Sequence, residues 1–295
     1  MGIMGSPMAL HLADAGHEVI GMANAEAVAK LVQHGGRGAT SLGEALSEAD
    51  VVITMVPDSP DVESVALGPD GIYANVREGT LHIDCSTIRP DVARRLAEAG
   101  AQRAVAVVDA PVSGGEAGAV QGTLSIMVGG EADHFQRARP FLEAFGKTVV
   151  HVGAAGAGQT VKAANQLIVG GTIELVAEAI VFLEAHGVDT AAAIEVLAGG
   201  LAGNAILERK APGMLQRQFT PGFRVDLHHK DMGIVVAAAR EVEVAIPLGN
   251  HVADLISSAR AQGYGSLDHT ALLLQVEKLS GRDSSQPTDR PGEFR

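Results

Sequence analysis

An α/β layered domain followed by an all-α domain is the fold class this sequence predicts, and three observations predict it. Short β-branched runs alternate with helical stretches through the first half of the chain. That texture stops at Gly153-Ala154-Ala155-Gly156-Ala157-Gly158, and a long apolar segment follows. The 295 residues, 46% hydrophobic and 19% charged, suffice for two domains with their own cores.

In the first half the strands are expected at 18–21, 50–55, 80–84, 104–109, 125–128 and 148–152. Helices are expected at 25–34, 42–47, 90–99 and 131–144, with an amphipathic helix near the start. Apolar strands separated by helices read as βαβ units around a mostly parallel, doubly covered sheet. In the second half, 159–186 reads as one helix, uncharged from Ala163 to Thr172 and so buried nearly all round. Further helices are expected at 190–197, 204–217, 232–242, 248–261 and 269–279. The expected domains are 1–154 and 155–280, with a disordered tail over 281–295 that is rich in Ser, Pro, Asp and Arg.

Composition narrows the function. Twenty-two Lys and Arg against 35 Asp and Glu give a net charge of −13, which argues against nucleic acid and anionic membranes as partners. No run reaches transmembrane length without interruption by charge or turn residues, and no signal peptide opens the chain. The one cysteine, Cys85, fits a reducing cytoplasm. Aromatics are 3% with no Trp, so stacking platforms for bases or sugars are not expected.

The motifs carry more. Gly2-Ile3-Met4-Gly5 has the spacing of the last two glycines of a G-x-G-x-x-G loop, in which a helix N-terminus faces a pyrophosphate. A Rossmann-type fold needs a strand and a first glycine before this loop, and the chain starts inside it. The strand expected to lie centrally in the sheet is therefore missing, which leaves unpaired edges and points to a truncated or misassigned start. Where an acidic residue would grip a ribose, the chain has Met22-Ala23-Asn24, so NAD and NADP both stay open.

Asp109-Ala110-Pro111-Val112-Ser113-Gly114-Gly115 follows a strand, where open α/β folds bind ligands, and its backbone can present N–H groups to an anion; the plainer reading is an ordinary turn. Lys162 lies in the first turns of the long helix, with Asn165 and Gln166 at i+3 and i+4. The helix dipole and an apolar setting both disfavour its ammonium and lower its pKa toward a range useful for proton transfer; a lysine reaching out to solvent is the competing reading. His228 and His229 are adjacent and cannot both face one site, so no metal is expected. Lys230 reaches either a ligand or a surface salt bridge with Asp231.

Together GIMGSPMA, DAPVSGG, GAGQTVKAANQ and FTPGFRVDLHHKD, in that order over about residues 1–280, resemble the β-hydroxyacid dehydrogenase family. The resemblance implies Lys162 as the catalytic residue and Ser113, Gly114, Gly115 and Asn165 around a small hydroxyacid substrate. It implies cofactor contacts from Gly2, Ile3, Met4, Gly5, Asn24, Val56, Pro57, Thr87 and Lys230, with NAD or NADP as cofactor, and a homo-oligomer. The segments MVPDSPDVESVALGPDGI and GGLAGNAILERKAPGML and the pair Asn165-Gln166 resemble the branch that reduces tartronate semialdehyde to glycerate. Oxidation of 3-hydroxyisobutyrate or another short 3-hydroxyacid is the alternative. A non-catalytic scaffold with a defective cofactor loop is the alternative of another class.

Overall fold

The computed structural model describes residues 1–22 and 25–282. The described residues cluster into two compact units, one formed by residues up to 165 with 237–243, the other by 166–236 with 244–282. The division falls within the long helix, whose first turns are anchored in the first unit.

In the first unit the order is α1 (Gly5–Asp14), β1 (Ile20–Gly21), α2 (Ala25–Gln33), β2 (Arg37–Gly38), α3 (Leu42–Leu46) and β3 (Val51–Thr54). Then come α4 (Ser59–Leu67), α5 (Ile72–Asn75), β4 (Leu81–Asp84), α6 (Pro90–Ala101), β5 (Ala106–Asp109) and β6 (Val112–Ser113). The unit continues through α7 (Gly115–Val120), β7 (Leu124–Gly129), α8 (Ala132–Glu143) and β8 (Gly146–Gly153). The main sheet runs β3-β4-β5-β7-β6, with β8 against β7. Pairs β3–β4, β4–β5 and β7–β8 are parallel, whereas β7 meets β5 and β6 antiparallel, so the sheet is more mixed than the sequence suggests. β1 and β2 form a separate parallel pair, and among the described residues β3 has a strand neighbour only on its β4 side.

Alternation sorts the strands onto two faces. Leu81, Ile83 and Cys85 of β4 and its end join Ala106 and Val108 of β5 in one apolar cluster with Phe145 and Leu142. Val105 and Val107 belong to a second cluster with Val62, Ile72, Tyr73, Val92 and Leu96. Both faces of the central strands are thus covered, which is why they read as unbroken apolar runs. Burying a Leu or Ile side chain of this kind contributes about 2 kcal/mol, so each layer of helices is held by several such terms.

The second unit takes the rest of α9 (Ala157–Ala185), then α10 (Thr190–Ala198), α11 (Ala205–Leu215), α12 (Val225–Glu241), α13 (Pro247–Ala259) and α14 (Leu272–Leu279). α9 is 29 residues long, and by length and apolarity alone it would suffice to cross a membrane, although Glu174 and Glu178 interrupt its apolar run, as the sequence reading has it. In the fold its Ile173, Val176, Ala177, Ile180 and Val181 are buried, four of them in a cluster with Ile194, Leu207, Met214 and Leu273. Arg217 ties three elements together, donating to Glu184 at 2.8 Å and to Glu277 at 2.5 Å. α12 begins seven residues before the expected Met232, so the His228-His229-Lys230-Asp231 run is helical. Of the tail expected over 281–295, residues 283–295 lie outside the described residues.

α9 is not buried nearly all round as expected: Ile168, Leu175 and Phe182 are exposed, and Glu174 brings a carboxylate into its buried side. Glu174 is buried, neither carboxylate oxygen has a hydrogen-bond partner, and burial, with Glu178 adding to it, pushes its pKa up to about 7. The folded protein therefore holds this proton more tightly than the unfolded chain. Stability from this group is full below the ordinary glutamate range and is lost as pH rises toward 7. Glu174→Gln is expected to stabilise the protein by about 1–3 kcal/mol at pH 8 and by much less at pH 5. Thermal unfolding of both proteins at the two pH values measures this, and an equal shift at both would refute it.

Candidate functional site

The site is built at the carboxyl ends of β3, β4 and β5, where the chain leaves the sheet. Asp109 is the last residue of β5 and is buried. Its Oδ1 accepts the Gly156 N–H at 2.8 Å and its Oδ2 accepts the Gln159 N–H at 2.9 Å. These are N–H groups at the start of α9 that no helical carbonyl can satisfy, and a carboxylate there also meets the positive end of the helix dipole. Burial outweighs those bonds and pushes Asp109 up to about 6, so the ionised form holds the helix at neutral pH. Gly158 explains the glycines of the motif: a Cβ there would lie 2.5 Å from the Met127 carbonyl oxygen and 2.8 Å from Asp109 Oδ2.

Fixing the first turn of α9 fixes Lys162 one turn further on. Lys162 is 7% exposed, and its Nζ donates to the Val112 carbonyl at 2.8 Å, which replaces the solvent-directed reading with a buried one. Ser113, the next residue, donates its hydroxyl to Asn165 Oδ1 at 3.2 Å. Gly114 and Gly115 complete the turn at φ of 138° and 64°, a conformation that favours glycine and exposes the backbone of both residues. Lys162, Ser113, Gly114, Gly115 and Asn165 are therefore neighbours. Gln166, the next residue, falls in the second unit, where its amide donates to Asp231 at 2.6 Å.

Gln159 ties the same turn to the end of β4. Its amide donates to the Ser86 carbonyl at 2.8 Å and its carbonyl accepts the Ile88 N–H at 3.0 Å. Ser86 Oγ in turn accepts the Val56 N–H at 3.0 Å. The segments carrying Val56-Pro57 and Thr87 are thus bound to each other and to the start of α9. Asp109, Gln159 and Ser86 escaped the sequence reading as site-building residues. The signal for Asp109 was an acidic residue ending a strand in a chain that also carries a Gly-x-Gly helix start.

On the cofactor side, α1 starts at Gly5 with Met4 as an N-cap that supplies no side-chain bond, and its first turn holds no acidic residue. A Cβ on Gly2 would meet nothing within 4 Å, and Gly5 packs on Met55 at the end of β3. An open glycine loop before an uncapped helix N-terminus fits a pyrophosphate group. Ile3 is exposed there, and Met4 packs into the first cluster. Asn24 lies outside the described residues. Lys230 is in the second unit, 2.8 Å from Asp231 and mostly buried, so its ion pair is not at the surface. Cys85 is fully buried with its thiol pushed up, an inert environment. Among the described residues no His, Cys, Asp and Glu group has the arrangement of a metal site. A cavity of about 460 Å³ opens at the other ends of β3 and β4, lined by Asp50, Val51, Arg77, Leu81, Arg137 and Phe141 among others, and holds none of these site residues.

With this geometry in hand, comparison with known proteins is decisive. Residues 1–153 match the NAD binding domain of 6-phosphogluconate dehydrogenase, and residues 156–276 match the NAD-binding domain of NADP-dependent 3-hydroxyisobutyrate dehydrogenase. The chain belongs to the 3-hydroxyisobutyrate dehydrogenase family. Members of the family similar to it include the 2-hydroxy-3-oxopropionate reductase of Escherichia coli, 38% identical over 95% of this chain and 96% of that protein. The 3-hydroxyisobutyrate dehydrogenase of Pseudomonas aeruginosa is 42% identical over 87% of this chain and 89% of its own. Among solved structures, the 3-hydroxyisobutyrate dehydrogenase of Mycobacterium tuberculosis with L-serine superposes with a TM-score of 0.82 at 35% identity, covering 92% of this chain and 95% of that one. Membership makes the cofactor NAD or NADP and places the chain among NAD(P)-dependent 3-hydroxyacid dehydrogenases of several specificities.

Replacing Asp109 tests how the site is built. Asp109→Asn keeps one acceptor but turns an N–H₂ toward a backbone N–H, so it should cost about 1–3 kcal/mol of stability and lower turnover more than cofactor affinity. Thermal unfolding and cofactor titration of the variant measure both. Unchanged turnover in the folded variant would refute the role.

Proposed function

We propose that this protein reduces tartronate semialdehyde to glycerate with NADH or NADPH, reversibly, and that Lys162 is its catalytic acid. The observation that carries this reading is a buried lysine held on the Val112 carbonyl beside Ser113 and Asn165, in a turn whose backbone is open to a ligand. When bound, the dinucleotide supplies a hydride to the aldehyde carbon. The Lys162 ammonium stabilises the oxygen as negative charge develops there and donates the proton that makes it a hydroxyl. Ser113, Gly114 and Gly115 hold the substrate carboxylate through hydroxyl and backbone N–H groups. Asn165, bound to Ser113, keeps that turn and the helix in register and orients a substrate hydroxyl.

Gly2, Ile3, Met4 and Gly5 would cradle the pyrophosphate, with Val56, Pro57 and Thr87 along the dinucleotide and Asn24 and Lys230 as further contacts. We place the enzyme in the cytoplasm as a homo-oligomer, in line with its single buried thiol. A second reading, oxidation of 3-hydroxyisobutyrate, is favoured by the 42% identity to the Pseudomonas enzyme of that name.

Assays of tartronate semialdehyde, glycerate and 3-hydroxyisobutyrate with both cofactors separate the two. The proposal expects kcat/KM at least about tenfold higher for the tartronate semialdehyde pair, a difference of about 1.4 kcal/mol. Lys162→Ala should lower kcat about 10²–10⁴-fold while the cofactor Kd stays within about twofold. Near-normal kcat in that variant would sink the assignment.

A further inference from the structure

A row of buried polar side chains crosses the carboxyl edge of the sheet, and the chemistry proposed above leaves it unused. His82 is fully buried in β4, flanked by Leu81 and Ile83, which point to the opposite face. It shares a face with Asp84, and Asp84 sits in register with Thr54 of β3. The carboxylate of Asp84 settles which atom donates, because an ionised carboxylate only accepts. Thr54 has one hydroxyl proton, and it goes to Asp84 Oδ1 at 2.7 Å. The 2.9 Å contact between Thr54 Oγ1 and His82 Nε2 is therefore one in which the ring N–H donates. His82 Nδ1 is then the lone pair, and the Tyr73 hydroxyl, 2.9 Å away on α5, donates to it.

This one-way chain ends on backbone. Asp84 Oδ1 also accepts the Ser86 N–H at 3.2 Å, and Ser86 Oγ accepts the Val56 N–H at 3.0 Å. Each link points in a single direction, and that direction is fixed by the Asp84 carboxylate, which only accepts and so selects the tautomer of His82. Burial pushes that imidazole down to about 4, so it is neutral with one donor and one acceptor at neutral pH. Burial also pushes the Tyr73 phenol up, which keeps it a donor. Among hydrophobic neighbours such a row is costly unless each member is satisfied.

We infer that His82, acting through Thr54 and Asp84, is a positioning residue for the two loops after β3 and β4 that receive the dinucleotide. The inference rests on the reading above that Val56, Pro57 and Thr87 meet the cofactor. Removing His82 leaves Thr54 and Tyr73 free to turn and lets Asp84 release Ser86, so the loops lose their preformed shape. Binding of the cofactor must then restore it, which weakens binding and leaves the bound reaction little changed.

Three variants test this with NADH and NADPH titrations, steady-state kinetics and amide hydrogen exchange. His82→Leu removes both ring bonds; His82→Gln keeps a donor and an acceptor; Tyr73→Phe removes one hydroxyl. His82→Leu is expected to raise the cofactor Kd about tenfold, with kcat at saturating cofactor within about twofold, and to speed exchange at the Val56 and Ser86 amides. His82→Gln should restore both readouts toward wild type. A folded His82→Leu protein with unchanged Kd and unchanged exchange at those amides overturns the inference, as does a loss that His82→Gln fails to rescue. If His82→Leu does not fold, Tyr73→Phe decides: a Kd raised two- to threefold supports the chain, and an unchanged one overturns it. Failure of the wild-type protein to bind either dinucleotide would overturn the cofactor reading itself, and exchange at Val56 and Ser86 would then still decide whether His82 holds the loops.

Discussion

A carboxylate buried where β5 ends holds the first turn of α9, and the chemistry proposed for this protein depends on that contact. Asp109 spans 47 and 50 residues of sequence to reach the N–H groups of Gly156 and Gln159. Bonds of this charge-assisted kind contribute about 1.5–3 kcal/mol each, but burying the charge offsets much of the gain. The rise of Asp109 to about 6 reflects that burial. What the contact supplies beyond net stability is geometry. It brings the helix start against the Val112–Gly115 turn so that Lys162 finds the Val112 carbonyl without solvent between them.

The same logic extends sideways across the sheet. Gln159 links the helix start to Ser86, Ser86 links to Val56, and Asp84, Thr54, His82 and Tyr73 stand behind them. The proposed proton donor and the proposed cofactor loops are therefore parts of one hydrogen-bonded layer inside the first unit. The apolar clusters on the two faces of the sheet keep that layer dry, and a low local dielectric makes each of its bonds stronger and each broken bond more expensive.

How much of this was legible follows from how far each interaction reaches. The strands at 51–54, 81–84, 106–109 and 124–129 and the helices at 25–33, 90–101 and 132–143 are local periodic patterns, and they lie within a few residues of where the sequence places them. β2 and β6, two residues each, and α5 and α7, four and six, are too short to leave a period. α4 was missed although Asp58 and Asp61 form a reciprocal cap, because its apolar spacing is weak. The burial of Lys162 was legible because an apolar helix left it conspicuous. Asp109, Gln159 and His82 were not, because each acts through partners on other strands that no local pattern reveals. The antiparallel turn at β6 was hidden for a further reason: Pro111 before it and two glycines after it read as loop.

The most direct test of this account is the structure of the Asp109→Ala protein at high resolution. The account predicts that the first turn of α9 frays, that the Gly156 and Gln159 amides turn to water, and that Lys162 Nζ leaves the Val112 carbonyl. A variant structure in which that contact persists at 2.8 Å would contradict it.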